Sequence, residues 1–121
     1  MPGSYRVLYR IVANNPPNRE DVSSYRELGI APDTDDPEMH RLSAGISLFN
    51  TQQQARNQMR RLPPARRGFI AELHIPPDAP VTIERSGSQR GHHTLWGAAD
   101  DTLNYVARIL PPNDSGTGVE E

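Results

Sequence analysis

Arg6-Val7-Leu8-Tyr9-Arg10-Ile11-Val12, followed by Ala13-Asn14-Asn15-Pro16-Pro17, is the stretch whose reading decides the fold. Over residues 5–13 the side chains alternate, with Tyr5, Val7, Tyr9, Ile11 and Ala13 on one face and Arg6, Leu8, Arg10 and Val12 on the other. Both faces are largely apolar, which predicts a central strand covered on two sides. Asn14-Asn15-Pro16-Pro17 then ends the strand, because proline has no amide donor and drives its predecessor out of helical geometry. Arg10 stands out. A cation in mid-strand needs either an acidic neighbour inside the fold or a ligand that brings the negative charge. The expectation is the ligand.

The elements that follow are read outward from this strand. Asn18 is a good N-cap, Glu20 and Asp21 suit a first helical turn, and Val22, Tyr25 and Leu28 form an apolar stripe that Gly29 terminates. Ile30 to Glu38, with two prolines and several acids, reads as an exposed acidic loop. Ser43 to Asn50 predicts a short strand running into a helix. Thr51 and Gln54 make that helix's capping box, and Ala55, Met59 and Leu62 recur at helical spacing. Pro63-Pro64 stops it. Gly68 to Ile75 predicts the second clear strand, with Glu72 and His74 on one face two residues apart. Val81 to Arg85, Gly91 to Gly97 and Leu103 to Leu110 complete the strands, and Ala98 to Thr102 fits one helical turn. The fold class is α+β: a single domain over residues 1–112 with a twisted, mostly antiparallel sheet of five to six strands and two to three short helices. Residues 113–121 read as a disordered acidic tail.

Composition narrows the function classes. Among 121 residues there are 13 basic and 15 acidic side chains, so no global field draws the chain to nucleic acid or a membrane. Arg56, Arg60, Arg61, Arg66 and Arg67 form a local basic cluster, but no aromatic side chains are interleaved for base stacking, so a solvated helix face is expected over a nucleic-acid contact. Cysteine is absent, which removes disulfides, a thiolate nucleophile and thiolate zinc sites. No spacing suggests a metal, and His92 and His93, adjacent in a strand, point to opposite faces and suit one ion poorly. No stretch approaches the roughly 18 apolar residues of a membrane span, so a cytoplasmic protein is the default expectation.

With these elements placed, the chain resembles the ADP-ribosyltransferase superfamily of the bacterial toxin type. Leu8-Tyr9-Arg10, then Pro16-Pro17, acids and a segment ending Leu28-Gly29, is similar to the first strand of those proteins, where an arginine binds NAD. Gly45-Ile46-Ser47-Leu48-Phe49, with Ala55 on the next helix, resembles their second block, where a hydroxyl residue braces the nicotinamide pocket. Ile75-Pro76-Pro77 and Tyr105-Val106-Ala107-Arg108-Ile109 occupy the places of their later strands. The resemblance implies NAD as cofactor. Arg10 would grip phosphate or ribose oxygens, Ser47 the carboxamide end, and Tyr9 or Trp96 a ring, with Thr94 also at the site and His92 or His93 in acid–base work. The chain departs from the pattern at the third block: where a glutamate near the ribose is expected, His92-His93-Thr94 stands. Glu72 and Glu84 are the substitutes available, each on an earlier strand. The chain also resembles short bacterial proteins that share a Tyr-Arg-Ile start and a Gly-His-His/Tyr-Thr-Leu-Trp-Gly block, a likeness that carries no activity. The expectation is therefore a domain that binds NAD or a related nucleotide, with degenerate catalysis. Alternatives are a non-catalytic module with a protein partner, a nucleic-acid contact and a proton-shuttling hydrolase built on Glu72 and His74.

Overall fold

The structure is a computed structural model that describes residues 5–30, 33–63, 68–87 and 91–111. Six strands, β1 (Arg6–Val12), β2 (Ile46–Phe49), β3 (Phe69–Ile75), β4 (Thr82–Arg85), β5 (His92–Trp96) and β6 (Val106–Leu110), form one sheet in the order β4-β5-β2-β1-β3-β6. Every neighbouring pair is antiparallel. β1 is interior as its two apolar faces require, and it pairs along its whole length with β3, from Arg6↔Ile75 to Val12↔Phe69.

Three helices cover the sheet: α1 (Pro37–Ser43), α2 (Gln52–Arg60) and α3 (Ala99–Asn104). On one face, Leu8, Val12, Ile46, Leu48, Leu73 and Leu95 pack with Ala99 of α3 and with Val22 of a 3-10 turn, Arg19–Val22. On the other, Phe49 and Ile70 pack with Ala55 and Met59 of α2, joined by Tyr9 and Ile11. α2 begins as expected: Thr51 and Gln54 bond each other's backbone amides reciprocally, which satisfies two of the first-turn donors.

Two local expectations need correction. The helix predicted from Asn18 to Leu28 is a four-residue 3-10 turn and then a separate turn. Ser24 Oγ accepts from Glu27 N at 3.1 Å while the Glu27 carboxylate accepts from Ser24 N at 2.9 Å, so the serine starts a new cap in mid-segment. Tyr25 and Leu28 accordingly lie exposed instead of forming a buried stripe. The predicted acidic loop contains the start of α1, with Asp36 as N-cap accepting from Glu38 N at 2.9 Å and Pro37 in the first helical turn. α1 buries no residue, so it has no apolar stripe to announce it. It is held by Arg41, which stacks over Trp96 at 4.9 Å, pairs with Glu38 at 2.7 Å and Glu84 at 3.1 Å, and accepts Trp96 Nε1–H on its carbonyl at 3.0 Å.

Of the basic cluster's described members, Arg56 is not on the solvated helix face that was expected. Arg56 is buried, donating to the Pro111 carbonyl at 3.1 Å and to the amide oxygen of Gln52 at 2.9 and 3.0 Å, and Arg60 bonds Asn57 at 2.7 Å. Arg66, Arg67 and the tail at 113–121 lie outside the described residues.

Glu72 carries the largest polar network on the α2 face. Its carboxylate receives His74 Nε2–H at 2.7 Å and Arg108 Nη2–H at 2.8 Å. Burial works to raise the Glu72 carboxyl, but those two donors outweigh it and hold its pKa below the ordinary 4.5. A carboxylate depressed on folding stabilises the fold above its unfolded pKa and loses that contribution as pH falls through the folded value. Glu72→Gln is therefore expected to lower stability near neutral pH by about 1–3 kcal/mol. It should also shallow the loss of stability on acidification, measured by urea unfolding across the carboxylate range. Parallel wild-type and variant curves would contradict the assignment.

Candidate functional site

β1 and β2 touch and then part. Their ladder pairs Tyr9 with Phe49 and no residue beyond, although continued antiparallel register would set Arg10 against Leu48 and Ile11 against Ser47. β2 meanwhile pairs with β5 over four positions, from Ile46↔Leu95 to Phe49↔His92. The sheet thus opens between its two central strands, and the Arg10 guanidinium occupies the opening. Its Nη1–H donates to the Ser47 carbonyl at 2.8 Å and its Nε–H to the Asp21 carbonyl at 2.6 Å. One side chain therefore satisfies a β2 acceptor that the missing β1 ladder leaves over.

Among the described residues no carboxylate salt bridge reaches this guanidinium. The Asp21 carboxylate lies near but is engaged elsewhere, accepting from Ala13 N at 2.8 Å, Asn14 Nδ2 at 3.0 Å and Asn18 N at 2.9 Å. Burial pushes Arg10 down to about 10, against the attraction of Asp21, so it is still cationic at neutral pH. Among the described residues its Nη2 has no hydrogen-bond partner.

A groove runs past this cation. One arm, of about 400 Å³, is lined by Arg10, Ile11, Tyr25, Ser47, Phe49, Gln58, Leu62, Gly87 and His92. A second arm, of about 420 Å³, continues under α1 between Tyr25, Ile30, Met39 and Leu42 on one side and Gly45, Ser47, Thr94 and His92 on the other. Tyr25, Ser47, Gly87 and His92 line both arms. Among the described residues no aspartate or glutamate is in either lining. Gly45 keeps the second arm's floor flat, since a Cβ there would lie 2.4 Å from Thr94 Cγ2 and 2.9 Å from the Leu95 carbonyl.

Arg10, Ser47, His92 and Thr94 are thus brought together from three strands. The His92 ring is fixed by the Ser86 carbonyl, 2.9 Å from Nδ1, and stands edge-on to Phe49 with centroids 5.5 Å apart. Thr94 Oγ1 shares a 2.6 Å hydrogen bond with Ser86 Oγ. The other expected site residues lie elsewhere. His93 is buried and donates Nδ1–H to the Gly91 carbonyl at 2.9 Å, as alternation along β5 requires. Tyr9 packs with the α2 cluster near Glu72, which together with burial raises its hydroxyl pKa. Glu72 is committed to His74 and Arg108, Glu84 to Arg41, and Trp96 lies beneath the Arg41 guanidinium.

Tyr25, Met39, Leu42 and Gln58 are lining residues that sequence reasoning missed. Tyr25 counted there as a core residue, and the signal that could have redirected it was Ser23-Ser24, a cap inside a supposed helix. Among the described residues no group of three or more histidine, aspartate or glutamate side chains could hold a metal ion, and no helix is long and apolar enough to cross a membrane. Compared with known proteins, the chain matches no family model, no curated protein and no solved structure.

The site offers one cation short of an anion, a histidine, two hydroxyl side chains and flanking aromatic surface, chemistry suited to gripping an anionic molecule that carries a ring. Arg10 also has a structural duty. Arg10→Met leaves the Ser47 and Asp21 carbonyls without their donor and is expected to cost about 1–3 kcal/mol, read from urea unfolding with an unchanged m-value. A change under about half a kcal/mol, the ordinary scatter of surface substitutions, would mean that the guanidinium does not bridge the opening.

Proposed function

We propose that this chain is an ADP-ribosyltransferase-like domain whose groove binds NAD or a related nucleotide, with Arg10 on phosphate oxygens and Tyr25 or Phe49 beside a ring. The observation that carries the reading is the Arg10 guanidinium: cationic, half-buried, facing a groove that has no carboxylate among its described lining residues, and left among those residues with one nitrogen unused after two carbonyls are served. A half-buried guanidinium of this kind gains most from a bidentate oxyanion, and phosphate is such a group. The neighbourhood of Ser47 supports the same reading, since it sets on one groove the first two blocks on which the resemblance rests, with His92 from the segment where the chain departs from the third.

Binding is favoured over efficient transfer. A preorganised negative charge beside the bond that breaks is worth about a hundred- to a thousandfold in rate, and among the described residues no carboxylate lines either arm. On this reading the groove holds the nucleotide, and any transfer is slow.

Isothermal calorimetry with NAD tests it. Saturable heat is expected for the wild-type chain, weakened at least tenfold in Arg10→Lys, which keeps the charge and loses the planar fork. Tyr25→Ala, at an exposed position on the groove lip, should weaken binding several-fold while leaving the unfolding curve in place. Absence of heat with NAD and with a panel of mononucleotides would overturn the proposal.

A further inference from the structure

The hydrogen bonds around His92 determine which of its nitrogens faces a ligand. A backbone carbonyl can only accept, so the 2.9 Å contact between His92 Nδ1 and the Ser86 carbonyl places the proton of the neutral ring on Nδ1. Ser86 Oγ lies 3.2 Å from the same nitrogen and shares its other hydrogen bond with Thr94 Oγ1, and the Ser86 amide donates to the His92 carbonyl at 3.0 Å. Gly87, at φ +75, covers the Nδ1 edge so closely that a Cβ on it would sit 3.2 Å from Nδ1. The Phe49 contact fixes the ring plane. What remains is the Nε2 edge: an acceptor lone pair with no hydrogen-bond partner among the described residues, on a ring that lines both arms of the groove.

We infer that His92 is a specificity-determining residue that presents Nε2 as a fixed acceptor, so the groove selects ligands bearing a hydroxyl donor close to the anion gripped by Arg10. The ligand class is a sugar phosphate rather than a bare phosphate or carboxylate. This rests on the nucleotide reading above and adds to it the group that must accompany the phosphate. The two ends differ in kind. Arg10 has donors only and His92 Nε2, in the neutral Nδ1–H ring, is an acceptor only, so a simple anion satisfies the first and offers the second no donor, whereas a hydroxylated sugar satisfies both.

The experiment combines one spectrum with one binding comparison. Long-range proton–nitrogen correlation on the uniformly 15N-labelled chain, at a pH where the ring is neutral, should show His92 as the Nδ1–H tautomer before any ligand is added. Calorimetry should then show adenosine 5′-monophosphate binding more tightly than its 2′,3′-dideoxy analogue by about five- to tenfold, the value of one net hydrogen bond. His92→Phe, which keeps a ring against Phe49 and Gly87, should bind the two nucleotides equally. His92→Gln, whose amide can place an oxygen near the Nε2 position, should restore part of the preference. An Nε2–H tautomer in the free protein, or a wild-type chain that binds both nucleotides equally, overturns the His92 proposal while leaving the nucleotide reading intact. If neither nucleotide nor NAD binds, the nucleotide reading falls and takes the ligand selection with it.

Discussion

The candidate groove in this fold depends on one guanidinium standing where a β-ladder should be. Two central strands that part after a single pair leave backbone polar groups inside the sheet, and such groups are costly when unsatisfied. Arg10 answers that need at Ser47 and at the same time draws in the Asp21 carbonyl from the 3-10 turn. Three chain segments distant in sequence are thereby tied to one side chain. The opening persists because the wedge that fills it bonds to its walls, and the groove is the room left beside the wedge.

The contrast with the other placed arginines is what singles this one out as the candidate for a ligand. Arg41 is neutralised by Glu38 and Glu84, and Arg108 by Glu72, each at hydrogen-bond distance. Arg10 meets carbonyl dipoles instead, while the nearest carboxylate, that of Asp21, is turned to three amide donors. Dipoles satisfy hydrogen-bonding geometry without cancelling charge. Burial strengthens the remaining field because the surroundings screen it less than water does. Among the described residues the groove lining holds no aspartate or glutamate.

Much of the sheet was legible because strand alternation is a strong signal. The double apolar face of Arg6–Val12 implied a central strand, and it is one. The alternation along β3 put Glu72 beside His74, and the two are bonded. Alternation along β5 separated His92 from His93, leaving one in the groove and one in the core. Local chemistry without burial was harder to read. α1 packs no buried residue and starts at an Asp-Pro-Glu cap that resembles a loop, while Ser23-Ser24 ends a helix that the apolar spacing at Val22, Tyr25 and Leu28 suggested would continue. Of the expected site residues, Arg10, Ser47, His92 and Thr94 lie along the candidate groove; Arg10 was legible from its charge in an apolar strand, while Ser47 and Thr94 came from the resemblance. Tyr9 and Trp96, chosen as stacking rings, follow tertiary partners that no local pattern specifies: the α2 layer in one case and a cation from α1 in the other. The parting of β1 from β2, which makes the groove, leaves no mark in the sequence except the charge placed to fill it.

The most direct measurement is a crystal structure of this chain grown with NAD, examined at Arg10. The account predicts a phosphate or ribose oxygen within about 3 Å of Nη2, the ordinary reach of a charged hydrogen bond, with the Ser47 and Asp21 carbonyls still bonded to the same guanidinium. A nucleotide bound elsewhere on the surface, or an Arg10 side chain that leaves the opening between β1 and β2 to pair with a carboxylate, would contradict it.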